Sequence, residues 1–242
     1  MTLARFFVDA ACAPGDEVGL HGDDRRHACV VLRVKAGDPI VIVAAHAVWQ
    51  AQVVDADRAG VRARIVAPSD ETAGELPVRV TVLQAIVKGP KFDEVVEKTV
   101  ELGASTIIPI RCQRSHSDAG PNQLARWRRI ARSAAAQSRR RGVPEIREPV
   151  SFTAAVSDAA LQPCIVGYEG APPGSLAASL NRIAATSSLS IAVGPEGSFT
   201  AAELQTARTA GCVFGWLGPT ILRTETAAAA MLAAIACRRG WW

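Results

Sequence analysis

Two glycine-proline corners late in this 242-residue chain carry the residue types best suited to gripping a small ligand. The first is Gly194-Pro195-Glu196-Gly197-Ser198-Phe199-Thr200, directly after the apolar run Ser190–Val193. Glycine admits backbone angles and close approaches closed to other residues, and proline fixes the bend. Thr200 with Glu203 three residues on reads as a capping box, so this corner opens into a helix, whose first amides can hold an anion. Neither G-x-G-x-x-G nor G-x-x-x-x-G-K-[ST] occurs, so the usual dinucleotide and triphosphate cradles are missing and an uncharged nucleoside held by main-chain groups fits better. The second corner is Leu217-Gly218-Pro219-Thr220-Ile221-Leu222-Arg223-Thr224-Glu225-Thr226-Ala227. By spacing alone, Thr224 reads equally well as an N-cap and Glu225 as a first-turn acid suited to the helix dipole. Two similar corners after successive strands of one sheet tip the reading toward a site.

Strands ending beneath the corners must position them. From Val78 the sequence alternates: strand Val78–Ile86, a helix with apolar residues from Phe92 to Gly103, strand Thr106–Ile110, a basic helix from Asn122 to Arg139 and a helix Ser151–Ala160. Strand Pro163–Gly167, helix Ser175–Ala185, strand Ser190–Val193, helix Ala201–Ala210, strand Cys212–Leu217 and helix Thr226–Arg238 follow. Strands separated by helices imply parallel pairing and a layered α/β sheet, and ligands bind such sheets beyond the carboxyl ends of the strands. The earlier chain reads differently. Short β runs at Arg5–Val8, Cys29–Val34, Pro39–Val43, Val48–Val54 and Val61–Val66 predict a small barrel or sandwich. The polar, proline-flanked stretch Pro68–Pro77 marks the boundary, giving domains over 1–70 and 77–242.

A composition of 49% hydrophobic and 21% charged residues supports a real core and excludes disorder as the main state. With only 12 aromatic residues, a base-stacking platform is not expected, and any nucleic-acid contact leans on arginine. Seven of the 27 basic residues fall between Arg126 and Arg141 with no acid among them, leaving 20 basic against 23 acidic residues elsewhere. Such a cluster is a phosphate footprint or a solvated basic face. No start-proximal stretch reads as a signal peptide, and the longest apolar run near the end, Thr226–Cys237, is too short to cross a bilayer. A cytoplasmic protein without a membrane partner is expected. Six cysteines without a C-x-x-C pair predict reduced, mostly buried thiols. His21, His46 and His116 lack metal-ligand spacing, and no metal is expected. Ser115-His116 lacks the glycines of a nucleophile elbow.

Gly194-Pro-Glu-Gly197 followed by Leu217-Gly-Pro-Thr-Ile-Leu-Arg-Thr-Glu-Thr-Ala227 resembles the signature of the SPOUT methyltransferases, in particular the RsmE family, which methylates N3 of a uridine in 16S ribosomal RNA. Arg5-Phe-Phe-Val8, His27, Val31-Leu-Arg-Val-Lys-Ala-Gly-Asp38, Lys91, Glu97-Lys98, Glu101-Leu-Gly103, Gln137-Ser138, Arg140 and Pro144 match its pattern in the same order. The resemblance implies an N-terminal PUA-like β-barrel, a C-terminal knotted parallel sheet with flanking helices, a homodimer, and S-adenosylmethionine bound in the knot. Cofactor contacts then fall on Gly194, Pro195, Glu196, Gly197, Leu217, Gly218, Ile221 and Leu222, with Thr224 and Thr226 shaping the pocket. RNA of the small ribosomal subunit would meet Arg5, His27, Arg33, Lys91, Arg126, Arg139, Arg140 and Arg141. The chain departs from the pattern at Ser198, where a second glycine is usual, and at Ala136, where an acid is frequent, so position 136 supplies no base. N3 of uracil is a poor nucleophile until its proton leaves, and a guanidinium favours the resulting anion. Arg5, Arg33, Arg114, Arg140 and Arg223 are candidates for that role, and Glu196 or Glu225 for neutralising the sulfonium or accepting the proton. The competing reading is a non-catalytic RNA-binding or ribosome-assembly factor on the same fold.

Overall fold

The structure, a computed structural model, describes residues 3–57, 60–71, 74–115, 119–183 and 185–241; His116, with Thr72 and Ala73 of the boundary stretch, lies outside the described residues. Two units emerge, Met1–Glu75 with Ala135–Val143, and Leu76–Ala134 with Pro144–Trp242.

In the first unit, alternating side chains build the sheet. Val61, Ala63 and Ile65 point inward while Arg62 and Arg64 face solvent, the period-two signature of a half-buried strand. Five strands, β1 (Arg5–Val8), β2 (Glu17–Leu20), β3 (Pro39–Ala44), β4 (Ala47–Ala56) and β5 (Val61–Pro68), lie in the order β1-β3-β4-β5-β2. The pair β1–β3 is parallel and the rest antiparallel. The sheet curls until its edge strands β1 and β2 touch, around a core of Phe6, Leu20, Ile40, Ile42 and Ile65. One expected strand is not there. Cys29–Val34 lies in and just after a π-helical turn, His27–Leu32, that continues α1 (Gly22–Arg26) and ends at Arg33 with a left-handed φ of 55°. The edge position on β5 is taken instead by β2, with Val18 and Leu20 buried, so the Val30-Val31-Leu32 run has no sheet to join and stays exposed.

The first unit also takes in a segment from far along the chain. Residues Ala135–Val143, which the sequence places after the boundary, belong with the first unit. The helix α3 (Pro121–Gln137) closes in a Schellman turn: Arg139 takes a left-handed φ of 58°, its amide donates to the Ala136 carbonyl, and the Arg140 amide donates to that of Ala135 at 2.9 Å. That turn sends the Arg140 side chain inward. Its guanidinium grips Glu75 through two nitrogens, Nε to Oε1 at 3.2 Å and Nη2 to Oε2 at 2.5 Å, and the Arg141 amide donates to the same carboxylate at 2.8 Å. Arg5, also buried, donates to the Arg140 carbonyl at 3.0 Å and pairs with Glu71.

The second unit is a sheet in the order β12-β10-β11-β6-β7-β8, with β9 (Val150–Ser151) also on β7 and every pairing parallel. Its strands are β6 (Arg79–Ala85), β7 (Thr106–Arg111), β8 (Glu145–Ile146), β10 (Cys164–Gly167), β11 (Ser188–Val193) and β12 (Val213–Gly215). The central strands are nearly continuous apolar runs because helices cover both faces. In α2 (Lys91–Glu101), Phe92, Val95, Val96, Thr99 and Val100 form one buried stripe at helical spacing. The turn after it needs Gly103, at φ 93°, where a Cβ would meet Leu76 at 2.6 Å. Helices α4 (Phe152–Ser157), α5 (Ser175–Arg182), α6 (Ala201–Thr209) and α7 (Thr224–Arg238) complete the unit. All six cysteines are free thiols, three of them buried and Cys237 exposed. Burial pushes the Cys112 thiol up to about 12, while a hydrogen bond from Cys164 draws Cys212 down to about 7. Among the described residues no helix is long and apolar enough to cross a membrane.

Arg140 is buried while Glu75 is about a third exposed, so removing the carboxylate strands a buried charge. Glu75→Ala should therefore lower the unfolding free energy by about 3 kcal/mol in a urea titration; a decrease under about 1 kcal/mol would show that Arg140 finds other support.

Candidate functional site

The first corner leaves β11 at Val193 and enters α6 through a complete capping box. Thr200 Oγ1 accepts from the Glu203 amide, and Glu203 Oε2 accepts from the Thr200 amide at 2.8 Å. Glu203 is buried and its Oε1 also accepts from the Gln113 amide at 2.8 Å, which ties the loop after β7 to this helix start. The buried Phe199 ring stacks on Phe152 with centroids 4.6 Å apart and lies 3.0 Å from where a Gly194 Cβ would stand. A side chain at position 194 would crowd that ring. Ser198 holds a left-handed φ of 59°.

Both corners meet in one cleft of about 260 Å³. Gly194, Pro195 and Glu196 form one wall; Leu217, Gly218, Ile221, Leu222, Arg223 and Thr224 form the other. Gly218 has a φ of 120° and nothing within 4 Å of where its Cβ would be, so a stretch of naked peptide faces open space there. A third segment completes the rim: Gly167, Tyr168 and Glu169, just beyond β10. No glycine-proline signature marks that loop, and the signal that could have found it is positional, since it follows a strand parallel to β11 and β12. Beneath the cleft, Thr224 Oγ1 donates to the Gly194 carbonyl at 2.6 Å and accepts from Gln84 Nε2 at 2.9 Å. Thr224 is thus the first residue of α7 and its hydroxyl is engaged in tertiary bonding; the N-cap position is Arg223.

Charges gather at the cleft mouth. Lys91 Nζ pairs with Glu196 Oε1 at 2.8 Å, and this bond and charge raise the Lys91 pKa; Glu225 raises it further and Arg223 opposes. Glu196 and the exposed Arg223 are in the cleft walls. Glu225 is buried, absent from those walls, and its Oε2 has no hydrogen-bond partner among the described residues.

Other expected positions fall outside the cleft. Gly197 is exposed and packs on Arg114, whose Nη1 donates to the Gly197 carbonyl at 2.7 Å. Thr226 is exposed on α7. Arg5 and Arg140 are buried in the first unit and committed to Glu71 and Glu75; burial lowers the Arg5 pKa. His27, Arg33, Arg139 and Arg141 are at the surface of the first unit. In the second, Arg126 pairs with Asp93 at 2.7 Å and Arg128 with Glu148 at 3.5 Å. The acid-free run in sequence is therefore partly neutralised in space.

An all-parallel α/β unit with a glycine-walled cleft beyond its strand ends and a cation and an anion at the mouth has the layout of a ligand-binding enzyme site. Residues 74–236 match the model of a family described as an RNA methyltransferase domain. The Mycobacterium bovis ribosomal RNA small subunit methyltransferase E is 33% identical, covering all of this chain and 94% of that protein. Its Bacillus subtilis counterpart is 30% identical over 96% of each. The crystal structure of the Neisseria gonorrhoeae ribosomal RNA small subunit methyltransferase E bound to S-adenosyl methionine superposes with a TM-score of 0.88, at 29% identity over 98% of both chains. The chain belongs to the ribosomal RNA small subunit methyltransferase E family.

A left-handed serine is strained by about 1–2 kcal/mol, partly offset by the chain entropy that glycine would lose on folding. Ser198→Gly should accordingly raise the unfolding free energy by about 0.5–1 kcal/mol in denaturant titration. A destabilised variant would mean that the serine side chain holds the corner.

Proposed function

We propose that this protein transfers the methyl group of S-adenosylmethionine to N3 of a uridine in 16S ribosomal RNA. The observation that carries the reading is the single cleft shared by the two glycine-proline corners, with Arg223 and Glu196 on its walls. The cleft fits the cofactor: the uncovered peptide at Gly218 and the bare Gly194 leave main chain where a flat adenosyl group would lie, and Leu217, Ile221 and Leu222 supply apolar cover. When bound, S-adenosylmethionine supplies an activated methyl group on a sulfonium. The chain's own residues do the rest. Arg223 stabilises the uracil anion by charge and paired hydrogen bonds. Glu196, the one of the two candidate carboxylates in the cleft wall, accepts the imide proton, with Lys91 fixing its orientation. Glu225 acts from behind, on the charge balance of Lys91.

We read the first unit as a PUA-like barrel that grips RNA and the second as a SPOUT domain with a deep trefoil knot. The insertion of β11 between β10 and β6 supports the latter. The functional form is taken as a cytoplasmic homodimer. His27, Arg33, Arg139 and Arg141 contact ribosomal phosphates directly, while Arg126 exchanges a carboxylate for a phosphate on binding. Such contacts position the RNA without reading its sequence.

Calorimetry of the purified protein with S-adenosylmethionine should give a saturable heat; none up to millimolar ligand would favour the non-catalytic RNA-binding reading. Glu196→Gln should reduce kcat by roughly 10²- to 10⁴-fold with little change in cofactor affinity, and an unaltered kcat would remove Glu196 from the chemistry. Replacing Arg139 and Arg141 by alanine should lower the log–log salt slope of RNA binding by about 1 for each phosphate that is no longer neutralised. An unchanged slope would make them bystanders.

A further inference from the structure

Gln84 stands one residue from the end of β6, wholly buried in the middle of the parallel sheet, between neighbours Leu83 and Ala85 that are equally buried. A buried amide costs free energy that an aliphatic side chain of similar size would not, so its bonding must explain its presence. Both Nε2 protons are used: one goes to Thr224 Oγ1 at 2.9 Å, the other to the Ala85 carbonyl at 3.3 Å. Oε1 has no partner among the described residues. The amide is therefore oriented for what it donates.

A hydroxyl has one proton and accepts through its lone pairs. With Gln84 donating to Thr224 Oγ1, the threonine proton is directed to the Gly194 carbonyl at 2.6 Å. Without that donor, a threonine in the first turn of a helix can rotate its hydroxyl toward carbonyls of its own chain. Gly194 and Thr224 belong to different corners and both line the cleft, whereas Gln84 does not. The strand that carries Gln84 pairs with β11 on one side and β7 on the other, so the relay fastens both corners to the middle of the sheet.

We propose that Gln84 is a positioning residue for the cofactor: by holding the Thr224 hydroxyl proton on the Gly194 carbonyl, it sets the separation of the two corners and thereby the affinity for S-adenosylmethionine. The inference rests on the cofactor assignment made under the proposed function. Gln84 touches neither cofactor nor RNA and acts through Thr224.

The test compares the wild type with Gln84→Leu, Gln84→Met, Gln84→Glu, Thr224→Val and Thr224→Ser, plus the Gln84→Leu/Thr224→Val double variant. S-adenosylmethionine Kd is read by calorimetry, KM and kcat on ribosomal RNA, RNA Kd, and the unfolding midpoint. Gln84→Leu, Gln84→Met and Thr224→Val should each raise the cofactor Kd and KM about tenfold, as expected for one buried hydrogen bond, and leave the RNA Kd unchanged. The double variant should be no worse than either single one, because all three break the same relay. Thr224→Ser, which keeps the hydroxyl, should bind within about twofold of wild type. Gln84→Glu preserves size and, where ionised, can only accept the hydroxyl proton, so at a pH that ionises it binding should be impaired at least as much as by leucine. If wild type gives no saturable heat, the cofactor assignment falls and the relay with it. If wild type binds while Gln84→Leu or Gln84→Met, folded by its unfolding midpoint, binds equally well, or if the double variant is additive, the relay alone is overturned.

Discussion

Parallel register at one edge of the second sheet is the constraint on which the site depends. Gly167 of β10 lies opposite Gly215 of β12, Val166 opposite Ala192 of β11, and Val193 of β11 opposite Gln84 of β6. Neighbouring strands thus end nearly level, and the loops that leave them emerge at a common height. Parallel pairing forces each return through a helix, so those loops are free of hairpin duty and can be bent by glycine and proline around a ligand. The hydrogen bond from Thr224 to Gly194 then joins two of them. Shape at the cleft comes from the sheet below it more than from the loops themselves.

Charge is distributed by the same logic of placement. In the first unit two arginines are drawn inside, where Glu71 and Glu75 compensate them. A buried guanidinium with a bidentate carboxylate is an architectural element, and its energetic value lies chiefly in the penalty for separating the pair. At the cleft mouth the partners are exposed, Lys91 and Glu196 each about 41% accessible, and such a pair contributes little to stability. That weakness suits a group that must change partners during a reaction. Burial, more than residue type, separates the structural arginines from those within reach of a substrate.

The two glycine-proline corners, their convergence and the strand–helix alternation of the second unit were all legible, because glycine and proline act through local backbone geometry and apolar runs report burial directly. The capping box at Thr200 was legible for the same reason. The role of Arg140 was not: a matched motif and a basic run both pointed outward, and only the left-handed turn at Arg139 swings the side chain in. The Cys29–Val34 run looked like a strand from its β-branched residues, yet strand formation needs a free sheet edge and β2 already held it. Gln84 escaped notice because a lone amide in an apolar strand has no periodic or motif signature. Thr226 and Gly197 were expected in the pocket from their neighbours in sequence; helical rotation turns the first away, and the bend after Glu196 turns the second toward Arg114.

Strand order also governs how this chain must mature as it leaves the ribosome. The partner that β6 needs on one side, β11, begins about a hundred residues after β6 ends. At roughly 5–20 residues per second, an aliphatic strand waits on the order of 5–20 s with one flank unprotected. A nascent chain in that interval presents the kind of open edge that other strands join, so the order in which the sheet is written along the gene sets how long that edge stays bare.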